Sequence, residues 1–138
     1  METLLRVALL EWLRADPALQ SALNQVAEEA PRRATPPWLG LVASASTDWS
    51  NKTCKGREVR VALEFHGRGD DPAAAALVVQ AIEARIEALP SAQAGFYVAS
   101  LTFLRARAEQ RPSNTRAVLL EYRFRLLAVE SQQKGSMT

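Results

Sequence analysis

The sequence holds one cysteine, Cys54, and one histidine, His66, in 138 residues. A lone cysteine closes no internal disulfide and builds no zinc site by itself, and a lone histidine excludes a His-rich metal centre. No metal and no cofactor is therefore expected. No stretch approaches the roughly 18 consecutive apolar residues a membrane-spanning helix needs, so no membrane role is expected. The chain starts acidic, Met1-Glu2-Thr3, and Arg6, Glu11 and Arg14 interrupt the apolar positions that follow. A secretory signal would begin basic and run unbroken, so maturation in the cytoplasm is expected. Lysine is scarce as well, three against fourteen arginines. Guanidinium groups suit fixed ion pairs and interfaces better than ammonium groups do.

What is present is ordinary for a globular chain. Lys and Arg number 17 against 15 Asp and Glu, a net of +2, with 23% charged and 48% hydrophobic residues. Such a chain buries roughly two thirds of its unfolded surface and needs no staples. A single domain over residues 1–130 is expected, followed by a polar, flexible tail at 131–138.

Leu5, Leu9, Trp12 and Leu13 recur at helical spacing and predict an amphipathic helix from Thr3 to Ala15. Asp16-Pro17 reads as a cap with proline at the first helical position, opening a short second helix to about Val26. The breaker segment Pro31–Pro37 is a linker. Trp38–Ala45 and Arg57–His66 read as strands of an antiparallel hairpin, the second alternating Val59, Val61, Leu63 and Phe65 with polar residues. Asp71-Pro72 starts the longest helix, to about Leu89, with Leu77, Val78, Ala81, Ile82 and Ile86 on its apolar stripe. Phe96–Arg107 and Thr115–Val129 are two further strands around the turn-forming Gln110–Asn114.

The order α-α-β-β-α-β-β predicts an α+β fold: one four-stranded, mostly antiparallel sheet backed by two helices on one face. Its helix between strands makes a crossover that should be right-handed. Val98, Leu104, Leu119, Leu127 and Val129 fall on the parity opposite the core, where only another subunit would cover them.

Catalytic readings are weak. His66 with Asp70 and Asp71 could pose as a base with orienting carboxylates, but an exposed histidine at a strand end beside a helix cap explains it better. Cys54 between Lys52 and Lys55 has no adjacent base. Gly67-Arg68-Gly69 is too short for a phosphate loop. Glu58 and Glu64 share a strand face but lie far apart along it. No enzyme is expected.

A nucleic-acid-binding module is the alternative: Arg105, Arg107, Arg111, Arg116, Arg123 and Arg125 stand against Glu109 and Glu121 and could track phosphates. The stacking half is missing, because Phe103, Tyr122 and Phe124 sit where the core should be. The odd feature is the loop Thr47–Gly56, a tryptophan among polar residues. Trp49 either anchors an interface or folds back over its own hairpin.

Thr47-Asp48-Trp49-Ser50-Asn51-Lys52-Thr53, then an alternating strand, a helix opening after Asp-Pro, and Leu101-Thr102-Phe103-Leu104-Arg105-Ala106-Arg107 resemble a family of small phage-tail proteins. These are the relatives of the tail terminator of long-tailed, siphovirus-like phages and of gene transfer agents. Leu13–Leu19 fits as well, and the resemblance spans Leu5 to Leu127. It implies a homo-oligomer, a hexameric ring at the head-proximal end of the virion tail, assembled in the host cytoplasm. One side of that ring caps the tail tube protein and stops its polymerisation. The other receives the head connector, or stopper, and DNA passes through the channel without sequence recognition. Asp48, Trp49, Ser50, Lys52 and Thr53 would then meet a neighbouring subunit or the tube. Arg105, Arg107, Arg116, Arg123 and Arg125 would pair across subunits or face the channel. Cys54 and the 31–37 segment receive no role.

Overall fold

The computed structural model describes residues 1–29 and 35–129. The 131–138 tail and most of the 31–37 linker lie outside the described residues. Three helices, α1 (Glu2–Arg14), α2 (Pro17–Ala22) and α3 (Pro72–Glu87), accompany six strands. These are β1 (Gln25–Glu28), β2 (Trp38–Asp48), β3 (Gly56–Arg68), β4 (Ala92–Gln93), β5 (Phe96–Arg111) and β6 (Thr115–Ala128). They form one mixed sheet in the order β1-β2-β3-β6-β5-β4.

This corrects the expected four-stranded, mostly antiparallel sheet with two backing helices. The two expected hairpins, β2–β3 and β5–β6, are present, and α3 connects β3 to the β5 side with β6 inserted between. The additions are short edge strands. The expected second helix stops at Ala22, and the chain becomes β1, which pairs parallel with Trp38–Leu41 of β2. Asn24 secures this switch: its backbone N–H donates to Pro37 O (2.7 Å) and its side-chain amide to Thr35 O (2.7 Å). Two- and four-residue strands carry too few alternations to announce themselves, and pairing overrides the helical preference of Gln25–Ala27. Gly95, at φ +91°, turns the chain tightly between β4 and β5, a conformation that glycine adopts without strain.

Alternation in β3 and β6 puts Val59, Val61, Leu63, Phe65, Leu120, Tyr122, Phe124 and Leu126 on the helix side, where all are buried. Leu5, Leu9 and Leu13 of α1 and Ile82 and Ile86 of α3 complete the core. Fully burying side chains of this size contributes about 1.5–3 kcal/mol each. The register shifts in β2, between Leu41 and Ala43, and in β5, between Val98 and Ser100 and between Phe103 and Arg105. Each shift is an extra residue that reverses the parity of everything after it. Val98 therefore belongs to the core at 6% exposure, contrary to the uninterrupted alternation. Leu119 and Leu127 do lie on the far face, half-buried. Leu77, expected on the apolar stripe of α3, instead points outward and is 68% exposed.

Asp71 caps α3, its Oδ1 accepting from Ala74 N at 3.1 Å with Pro72 at the first helical position. Helices α1 and α3 are clasped at one point. Trp12 Nε1 donates to Arg85 O at 2.6 Å, Arg85 Nε donates to Trp12 O at 2.8 Å, and the guanidinium lies 3.4 Å above the indole ring.

At the start of α1, Glu2 accepts a hydrogen bond from Ser44 of β2. That bond first, then one from Ser46 and the charges of Arg6 and Arg57, hold its carboxyl below the usual 4.5. A lowered folded pKa contributes stability above the unfolded value and loses it as pH falls through the folded one. Glu2→Gln should therefore lower the melting temperature at pH 7 and make no difference near pH 2. Thermal unfolding followed across that range checks it; an equal deficit at both ends would refute it.

Candidate assembly surface: the charged face and its loop

The sheet face away from the helices is built by register. Four rows cross it: Thr47–Glu58–Arg125–Ser100, Ala45–Arg60–Arg123–Thr102, Ala43–Ala62–Glu121–Arg105 and Gly40–Glu64–Leu119–Arg107. Directly opposed residues share a face at about 4.5–5.5 Å between Cβ atoms, so opposite charges meet across strands. Arg125 Nε reaches Glu58 Oε1 at 3.0 Å. Arg105 holds Glu121 Oε1 with Nε and Nη2, at 3.1 and 2.9 Å. Glu109 takes Arg111 at 2.8 Å and Arg107 at 3.3 Å, and Arg111 also approaches Glu64 at 3.6 Å.

These contacts set the local protonation. The Glu121 bond raises the Arg105 guanidinium further above its ordinary value, and Arg111, then Arg107, hold the Glu109 carboxyl below the carboxylate range. Both groups are open to water, where such pairs contribute little to stability. One row is unbalanced: Arg60 and Arg123 stand directly opposite each other, and Arg123 Nε has no hydrogen-bond partner among the described residues.

Of the five arginines singled out in the sequence, the fold brings Arg105, Arg107, Arg123 and Arg125 onto this face. Arg116 falls on the other side, beside Pro72, Ala76 and Val79 of α3, its Nε likewise without a partner among the described residues. His66 also lies on the charged face, hydrogen-bonded to Glu64 and stacked on Trp38 with centroids 4.1 Å apart. Asp71 caps its helix, so the base-and-orienter arrangement with His66 is not formed. Among the described residues no group of three or more His, Cys, Asp or Glu could hold a metal ion. None of the described helices is long and apolar enough to cross a membrane.

The loop between β2 and β3 is tightly organised. Trp49 N donates to Gly56 O at 2.9 Å, and Gly56 N donates to Ser50 Oγ at 2.9 Å. Ser50 Oγ in turn donates to Asp48 Oδ1 at 2.7 Å. Asn51 Oδ1 accepts from Thr53 N (2.9 Å), Thr53 Oγ1 (3.1 Å) and Cys54 N (2.8 Å), an Asx turn that fixes the tip. The Trp49 ring is half-buried with the Arg125 guanidinium 5.5 Å away, so the loop's root leans on the charged face. Asp48, Ser50, Lys52 and Thr53 remain exposed. Asn51 and Gly56, which hold the loop together, were not among the residues the sequence singled out; Asn51-Lys52-Thr53 carries the turn signal for the first.

No curated protein sequence matches. A chain in the virion of a native gene transfer agent (GTA) particle is similar in structure, with a TM-score of 0.74 and 24% identity, covering 91% of this chain and 96% of that one. That likeness is one of fold. The family profile "Tail completion protein gp17" matches residues 7–127, nearly the whole described fold. The chain accordingly belongs to the tail completion protein gp17 family, structural components of virion tails that work by assembling with other virion proteins.

Proposed function

We propose that this protein is a tail terminator: copies of it close into a ring, six in number, that caps the tail tube, stops its polymerisation and joins it to the head connector. The observation that carries this reading is membership of the tail completion family along almost all of the chain. The geometry supports it, because a closed ring of identical subunits needs two unlike contact surfaces on each. The braced loop, with Asp48, Trp49, Ser50, Lys52 and Thr53, supplies the contact to a neighbouring subunit or the last ring of tube protein. Trp49 sets the loop's angle against Arg125, and Lys52 and Thr53 make the contact.

The charged face suits a channel wall. Arg105, Arg107 and Arg125 are already neutralised by glutamates of their own chain, so DNA slides past without sequence-specific grip. Arg123, on this face, has a donor to spare for passing phosphates, and Arg116, on the helix side, has one for an acceptor on a neighbour.

Polymerising the tail tube protein of the same particle with and without this protein tests the reading. The expected result is tubes of arrested length carrying a ring at one end; unbounded tubes with bare ends would overturn it. The variant Lys52→Glu should unfold within about 0.5 kcal/mol of the parent, since its side chain is exposed. It should nevertheless fail to cap, as tube length in the same electron micrographs would reveal.

A further inference from the structure

The sheet ends in two open edges of different character. On one side β1 covers only Trp38–Leu41 of β2, leaving the outer side of Ala43–Asp48, which pair inward with β3, without a strand partner among the described residues. On the other, β4 covers only Phe96 and Tyr97 of β5, and the last bond across that edge is Val98 N to Ser91 O. From Ser100 to Arg111 the outer side of β5 is open in the same sense.

Exposed edges in soluble proteins are ordinarily blunted by lysine, proline, inward charge or a cover. Ala43-Ser44-Ala45-Ser46-Thr47 of the β2 edge is itself small, uncharged and free of proline, and the Glu2 and Arg6 side chains that reach Ser44 come from α1 on the helix side. The helix layer is incomplete in a matching way. Helix α1 lies over β1 and β2, and α3 lies against β3, while the helix side of β5 is bare beyond Leu101. There Phe103 is 44% exposed, and Ala106 and Ala108 are exposed.

We propose that the open β5 edge of one copy pairs antiparallel with the open β2 edge of the next, the occupant being a second copy of this chain. The proposal rests on the ring reading above and names the junction that closes it. Strand direction favours it. Directions alternate across β2-β3-β6-β5, so a neighbour added by rotation presents a β2 running opposite to β5. Side-chain size favours it too, since alanines and serines on β2 and Ala106 and Ala108 on β5 let the backbones reach sheet spacing, about 4.8 Å. The same placement brings the neighbour's α1, which rides on its β2, over Phe103 and completes the helix layer. The two edges are unlike, so the contact is head-to-tail and propagates around a ring rather than stopping at a dimer.

Disulfide trapping tests this in the full chain with Cys54→Ser. Ala45→Cys is combined with Arg105→Cys, Arg107→Cys or Glu109→Cys, three registers on the charged face. Within one chain these positions are three strand spacings apart, about 14 Å, too far to bridge. Opposed residues of adjacent antiparallel strands, about 4.5–5.5 Å apart at Cα, bridge readily. Oxidation of the protein assembled on tail tubes should yield, for at least one register, a ladder of covalent oligomers that the single-cysteine variants lack.

In the unmodified protein, amides of 43–48 and 105–111 should become protected from hydrogen exchange together upon assembly. Rings on tubes with no ladder in any register and no new protection would overturn the edge pairing and leave the terminator reading standing. A ladder from Ala45→Cys alone, stopping at dimers, would replace it with a symmetric contact. Absence of any ring, with tubes uncapped, would sink both readings.

Discussion

Trp12→Ala is expected to cost about 3 kcal/mol of folding stability, the low end of the range for a large aromatic side chain, because the indole is half-buried. Three interactions vanish with the indole: its contact between α1 and α3, the hydrogen bond to Arg85 O, and the surface beneath the Arg85 guanidinium. The bond from the Arg85 side-chain Nε to the Trp12 backbone carbonyl can survive, so Arg85→Ala removes a different subset. Because both changes strike one clasp, their effects should not add. A double-mutant cycle should give a coupling of about 1 kcal/mol, a half-buried cation–π contact plus a shared hydrogen-bonded arrangement. Chemical denaturation of the four proteins measures it. Additive losses would mean that the helices are held by the leucine core alone.

Gly56→Ala should be as damaging, by about 3 kcal/mol, although it adds only one methyl group. A Cβ at this position would stand 2.5 Å from Trp49 O and 2.8 Å from Leu126 O, both backbone atoms that no rotamer change can remove. Gly56 is the first residue of β3, paired with Leu127, and it also closes the loop through Trp49 and Ser50. Relief would require opening either the loop or the β3–β6 ladder. For a chain of this size the loss corresponds to a fall in melting temperature of roughly 10 °C. Since the Trp49 carbonyl is one of the obstructing groups, tryptophan fluorescence should change in the folded state as well. A variant that melts with the parent would show that the loop yields freely, and would remove its claim to be a preformed contact.

Particular elements show how far the sequence could be read. The strong alternation of β3 and β6 and the Asp-Pro start of α3 located the centre of the fold, because period and capping act locally. β1 and β4 left no local mark: each exists only through its neighbour's hydrogen bonds. The bulges in β2 and β5 were equally invisible, and they carried Val98 into the core and left Phe103 beside the open edge. Among the singled-out residues, the common face of Arg105, Arg107, Arg123 and Arg125 followed from pairing the bulged β5 with the regular β6, which spacing alone could not deliver. Arg116 parted from them by parity. For Trp49 the fold shows the second of the two alternatives read from its loop: the ring leans back on its own hairpin while its polar neighbours stay exposed.

The pairing of arginines with glutamates across the charged face changes how it is felt from afar. Beyond a screening length, about 8 Å at physiological salt, the fields of its alternating ions largely cancel. Tenacious adhesion of a polyanion requires many uncommitted cations displacing its counterions together. Here most guanidinium groups already have an internal counterion, and the bare Arg60–Arg123 row is a narrow exception. As the wall of the proposed channel, this face would offer low friction: a long charged thread would be drawn across it, gripped weakly at one line and released at the next.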